Sequence, residues 1–163
     1  MNINLKQIAT INSPYCDLKN MPVQPIGAKD VYATIEFKDE FIDGLKDLDG
    51  FSHVYLIYYF HKIEEHSLSV IPFNDKTDTP RGVFSTRTPM HPNSIGLSVV
   101  KLVAVEKNIV TVQGIDILDG TPLLDIKPHI GSFDKIEGEI KNGWMKSSLQ
   151  EVSEIRSDER FIG

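Results

Sequence analysis

The chain has 163 residues, 40% of them hydrophobic and 25% charged, enough for one globular domain with a sizeable core. Its formal net charge of −6 and sequence pI of about 5.3 exclude a protein that coats nucleic acid through general basicity. They leave room for an enzyme that meets RNA through a local basic patch. The single cysteine, Cys16, rules out an intrachain disulfide and a zinc site built on several thiolates, and it points to a reducing compartment. The first residues carry no basic stretch followed by an apolar one, and no segment approaches a membrane span, so a cytoplasmic protein without a membrane partner is expected.

In chain order, residues 5–12 read as a short strand stopped by Ser13-Pro14-Tyr15, because proline ends sheet pairing. Residues 20–28 hold two prolines and a glycine and read as a loop. Residues 30–37 alternate, with Val31, Ala33, Ile35 and Phe37 on one face, as a half-buried strand does. Residues 38–48 change period and place Phe41, Ile42, Leu45 and Leu48 on one helical face, closed by Asp49-Gly50. The run FSHVYLIYYF, residues 51–60, is the most apolar and predicts a central strand.

Residues 64–80 are polar and predict a long loop. A short strand is expected over 83–85 and a long one over 95–105, turning at Asn108 into a hairpin partner over 109–117. Asp119-Gly120-Thr121-Pro122 reads as a turn before a short strand over 123–126. Residues 147–156 predict a helix, with Leu149, Val152 and Ile155 on one side. Many short strands and only two helical patterns predict a mainly β fold, a small antiparallel barrel with one or two short helices. The barrel domain is expected over residues 1–140 and a partly helical tail over 141–163.

The familiar cofactor motifs are absent: there is no G-x-G-x-x-G, P-loop, G-x-S-x-G or H-E-x-x-H. The five histidines lack metal spacing, so no metal site is expected. His53 reads as a satisfied strand residue, while His61 closes the apolar strand, a common place for site residues. Asp116-Ile117-Leu118-Asp119-Gly120-Thr121 approaches the D-x-D-G-T of aspartate-nucleophile phosphatases but has Ile117 where that chemistry needs a carboxylate. It reads as an Asp-Gly turn in which Asp119 accepts hydrogen bonds and Gly120 lets a ligand approach the backbone. Cys16 has no activating base in the sequence around it. The stiff loop TRTPMHPN gathers Arg87, His91 and Asn93 between prolines that fix the backbone. Lys127 and His129, with Arg81, Arg87, His91 and Lys101, form a candidate basic face.

GVFSTRTPMHPNSIGLSVVKL followed by GIDILDGTPLLDIKPH resembles the paired signature of the TsaA-like family, whose best understood members are TrmO-type tRNA methyltransferases. QIATINSPY and DGFSHVYLIYYFHK resemble that family's first and middle strands. The resemblance implies a small β-barrel, S-adenosylmethionine as cofactor, a homodimer with the cofactor near the subunit contact, and methyl transfer to the N6 nitrogen of threonylcarbamoyl-adenosine beside the anticodon of tRNA. Carried onto this chain, it places the cofactor against Pro22, Val23, Gln24, His61, Lys62, Arg87, Asn93, Leu97 and the turn Leu118, Asp119, Gly120 and Thr121. For the proton-handling group the residues leave Tyr15, His61 and Asp119 open. A small-molecule methyltransferase and a non-catalytic cofactor-binding barrel are the competing readings. Two departures bear on substrate: His91-Pro92-Asn93-Ser94 stands where the family usually has Arg-Pro-Asn-Pro, and His129 stands where Lys-Pro is usually followed by Tyr. The first removes a permanent charge and a fork that binds phosphate.

Overall fold

The computed structural model describes residues 3–158 and 160–161. Among the described residues eight strands form: β1 (Ala9–Asn12), β2 (Tyr32–Phe37), β3 (His53–Tyr59), β4 (Ser69–Val70), β5 (Arg81–Gly82), β6 (Ile95–Glu106), β7 (Ile109–Gln113) and β8 (Thr121–Pro128). Two short helices, α1 (Gly131–Asp134) and α2 (Leu149–Glu154), follow them. Six strands close into an antiparallel barrel in the order β1-β2-β7-β6-β3-β8, and β4 and β5 form a separate two-stranded ribbon. Closure removes the unpaired edges that short strands would otherwise expose.

Period-2 alternation sets what fills the barrel. Ile11, Ile35, Val54, Leu56, Val100, Val110, Val112 and Leu123 are fully buried inside it. Along β6 the buried positions are Gly96, Ser98, Val100 and Leu102, while Ile95, Leu97, Val99, Lys101 and Val103 face out. The interior is therefore not uniformly apolar. Near the start of β6 it carries Gly96 and Ser98, opposite Tyr58 and Leu56 of β3. That polar end positions the site.

Several local expectations change. The residues 38–48 helix is a 3₁₀ helix, Asp39–Leu45, followed by another, Leu48–Gly50. Gly44 lowers α-helical propensity there, and Asp47 at φ 66° breaks the path before Leu48. Residues 83–85 form a 3₁₀ turn, with Thr86 N–H bonded to the Val83 carbonyl, and the strand is Arg81–Gly82 just before it. The first strand starts later than expected and β7 ends earlier, where Gly114 takes φ 90°. Conversely, β8 is eight residues long, because it pairs on both sides, with β1 and with β3. Thr121 and Pro122 belong to that strand, so the turn before it is confined to Asp119 and Gly120. The expected helix over 147–156 shortens to α2. Ser148 caps it reciprocally with Glu151, as a capping box does, and Val152 alone is buried while Leu149 is exposed.

The tail is anchored rather than loose. Ser157 N–H donates to the Met21 carbonyl, and Asn20 N–H donates to the Ser157 carbonyl. Pro22 and Arg156 form an isolated antiparallel bridge. Trp144 Nε1–H donates to the Ser85 carbonyl at 2.9 Å, and the Arg81 guanidinium lies 5.3 Å over its ring. Arg81 Nε in turn donates to the buried Asp75 Oδ2 at 2.6 Å. Among the described residues no helix is long and apolar enough to cross a membrane.

Candidate functional site

The polar end of the barrel opens into a cleft of about 850 Å³, within the usual range of small-molecule sites. Its floor is Tyr58, Gly96, Asp116 and Thr121. The lining includes the 3₁₀ turn and proline loop between Phe84 and His91, and Pro22, Val23 and Gln24. The tail supplies further lining through Trp144, Met145, Val152 and Ser157. Apolar side chains dominate, and Lys62 and Arg87 bring positive charge to them.

Nine of the expected cofactor residues lie together around this cleft: Pro22, Val23, Gln24, His61, Lys62, Arg87, Leu97, Leu118 and Thr121. Asn93 lines a smaller adjoining hollow of about 260 Å³ with Phe84, His91, Pro92 and Ile95. Asp119 and Gly120 do not line the cleft. Asp119 Oδ1 accepts the Ser13 N–H at 2.9 Å, and Gly120 holds φ 74°, so both shape the turn that ties the first strand to β8. Tyr15 also lies outside the lining and packs against the core. Burial raises its phenol above its ordinary pKa, the nearby Arg156 charge opposes this, and Asp116 adds to it.

His61 sits at the cleft with its Nδ1 3.3 Å from Thr121 Oγ1. Thr121 spends its own proton on the Leu118 carbonyl at 2.7 Å. The Nδ1–H of His61 therefore donates to Thr121, and Nε2 is left as an acceptor. Burial, then the Lys62 charge, lowers the pKa of His61, which keeps the ring neutral near pH 7. His91 Nε2 lies 3.1 Å from the Thr86 carbonyl, so that nitrogen carries the proton and the imidazole braces the proline loop. His53 is exposed and bonds to Ser52 Oγ, away from the cleft.

Sequence reading missed Asp116. It lines the cleft between the fully buried Ile115 and Ile117, and its Oδ1 accepts from Ser98 Oγ at 2.8 Å. Ser98 Oγ lies 3.2 Å from Tyr58 Oη. Because Ser98 gives its only proton to the carboxylate, Tyr58 must donate to Ser98. Burial pushes the Asp116 pKa up to about 6, against the lowering effect of the Ser98 hydrogen bond. The same burial, with Asp116 nearby, raises Tyr58 far above its ordinary value. The one sequence signal was a carboxylate flanked by two isoleucines in an otherwise apolar run.

An antiparallel barrel with a cation-flanked apolar cleft at its polar end is a small-molecule-binding barrel, distinct from the doubly wound folds that bind nucleotides through glycine-rich loops. Residues 10–135 match the family model described as the tRNA-methyltransferase O N-terminal domain, and the chain belongs to that family. It is 43% identical over 157 residues to a probable S-adenosyl-L-methionine-binding protein of Pyrococcus abyssi, covering 96% of this chain and 84% of that one. It is 44% identical over 96 residues to the human tRNA (adenine(37)-N6)-methyltransferase, covering 55% of this chain and 21% of the human protein. The crystal structure of TrmO from Pseudomonas aeruginosa superposes with a TM-score of 0.72 at 34% identity, over 88% of this chain and 62% of that one. The chain thus spans less than two thirds of that solved chain.

Proposed function

We propose that this protein is a cytoplasmic S-adenosylmethionine-dependent methyltransferase acting on the N6 nitrogen of threonylcarbamoyl-adenosine beside the anticodon of tRNA. The observation that carries this reading is the cleft itself, which draws nine of the residues matched to the family's cofactor site from five separate segments into one place. The residues fit the cofactor's chemistry. Lys62 and Arg87 offer charge to its carboxylate, and apolar groups such as Leu97 and Leu118 pack against its adenine and carbon chain. When bound, the cofactor supplies an electrophilic methyl group on a sulfonium. The protein's part is to hold donor and acceptor in line and to keep water out.

The protein acts as a homodimer through the outer face of β6. Ile95, Leu97, Val99 and Val103 are 39%, 51%, 39% and 45% exposed there, a largely apolar strip interrupted by Lys101 that water disfavours. Ile95 and Leu97 also line the cleft, so a partner on this strip borders the cofactor. The −6 charge leaves tRNA contact to local cations such as Lys62 and Arg87.

The test is incubation of the purified protein with S-adenosylmethionine and total tRNA, followed by mass spectrometry of the digested nucleosides. A 14-dalton gain on threonylcarbamoyl-adenosine is expected. Methylation of a free small molecule with none on tRNA would replace the substrate, and cofactor binding without any transfer would make the barrel a binding module. Arg87→Ala is expected to weaken cofactor binding by calorimetry, and unchanged affinity would remove Arg87 from the site.

A further inference from the structure

Methylating a carbamoyl-linked nitrogen releases a proton, and the cleft must hold a group to take it. We infer that Asp116 is that proton acceptor, held in place by the Tyr58–Ser98 hydrogen-bond chain; the inference rests on the methyltransferase reading above. Tyr15, His61 and Asp119 were the sequence candidates. Asp119 is committed to the Ser13 N–H away from the cleft, and the phenol of Tyr15 is pushed the wrong way to act as a base near pH 7. His61 lines the cleft, and Asp116 is the carboxylate on its floor.

The geometry around Asp116 is that of a built site. Its two neighbours are anchored in the core, so the carboxylate cannot swing away with the backbone. One oxygen is fixed by Ser98, whose hydroxyl is itself oriented by Tyr58. Tyr58 is oriented by Gly96, directly opposite it across β3 and β6. A Cβ on Gly96 would run into the Tyr58 ring at Cε2 and Cζ, so the ring lies flat on a position that only glycine leaves open. Ser98 is the side chain that hydrogen bonds to Asp116 among the described residues.

Chemically, the N6 lone pair forms the bond to the methyl carbon while the carbon–sulfur bond breaks, its electron pair returning to sulfur. The N6–H proton passes to the Asp116 carboxylate. A carboxyl titrating near 6 is mostly ionised at pH 7 yet basic enough to accept, the compromise that general-base catalysis favours. The charged and titratable groups around it are Tyr58 from β3, Tyr15 after β1, and His61, Lys62, Arg87 and Asp158 on the cleft walls. His61, whose pKa burial and then the Lys62 charge lower, is a second titratable group at the cleft, so the test must separate the two.

The test combines kcat/KM for tRNA methylation against pH with a direct carbon-13 NMR titration of the Asp116 carboxyl in the free protein. Wild type is expected to lose activity below about pH 6, with the carboxyl titrating in the same range. Asp116→Asn should lower kcat/KM by roughly 10²–10⁴-fold and abolish that acid limb, while calorimetry shows the cofactor still bound. Ser98→Ala removes a donor to the carboxylate, so the acid limb and the NMR titration should both move to higher pH together. His61→Gln should leave the limb in place. An acid limb that vanishes with His61→Gln and ignores Ser98→Ala would overturn the assignment, as would normal transfer by Asp116→Asn. If wild type methylates no tRNA, the function reading itself fails and takes this assignment with it.

Discussion

Gly96→Ala is the most informative single change, because one methyl group meets one buried ring. The new Cβ would overlap Cε2 and Cζ of Tyr58, with Cδ2 at 2.8 Å, and Tyr58 is only 5% exposed, so the ring must leave its packed position and shift toward the cleft it lines. Overpacking of this kind costs about 1–3 kcal/mol. Moving the ring also breaks the Tyr58–Ser98 hydrogen bond, worth about 1 kcal/mol. The expected loss is about 2–4 kcal/mol, which in a domain of this length lowers the midpoint of thermal unfolding by about 5–15 °C. Calorimetry or circular dichroism measures it directly. The cause is isolated by adding Tyr58→Val, which removes the obstructing ring: the double variant should be less destabilised than the two single changes sum to, by about 1 kcal/mol or more. A Gly96→Ala protein with wild-type unfolding temperature, or strict additivity in the double variant, would refute the packing account and with it the way the Asp116 chain is held.

Other expectations follow from individual contacts. Folding raises the Asp116 pKa from its ordinary 3.8 to about 6, so keeping it ionised opposes folding above about pH 6, and that penalty disappears below about pH 4. Asp116→Asn should therefore be more stable than wild type at pH 8 by about 1–3 kcal/mol, with the gain vanishing near pH 4 in urea titrations; a constant difference across pH would contradict it. Asp75 is held down at about 2 by the Arg81 hydrogen bond first and Thr77 next. Its stabilising contribution is thus complete above about pH 4 and lost as pH falls toward 2. Trp144, the sole tryptophan, packs on Arg81, so its emission should shift to the red over that range, and Asp75→Asn should show the shift already at pH 7. Val99→Asp puts a charge on the exposed strip of β6 away from the cleft lining, and sedimentation should show monomers where wild type gives dimers; an unchanged mass would place the subunit contact elsewhere.

The sequence alone determined the class of fold. Alternation of apolar residues along 30–37, the β-forming run at 95–105 and the apolar run at 51–60 are local signals that survive in β2, β6 and β3. The linked loop motifs brought the family with them, because long runs of specific residues carry more information than composition. Element ends were less legible. A 3₁₀ turn at 83–85 and an eight-residue β8 depend on which neighbour offers hydrogen bonds, and that is decided after the chain has closed. Only the tertiary structure placed the tail against the cleft through Trp144 and Ser157, fixed Asp119 to Ser13 rather than leaving it toward a ligand, and raised Asp116 into view. The physical reason is the same in each case. A side chain's desolvation and its hydrogen-bond partners come from residues far away in sequence, Ser98 for Asp116 and Ser13 for Asp119, and no local pattern records which of them will meet.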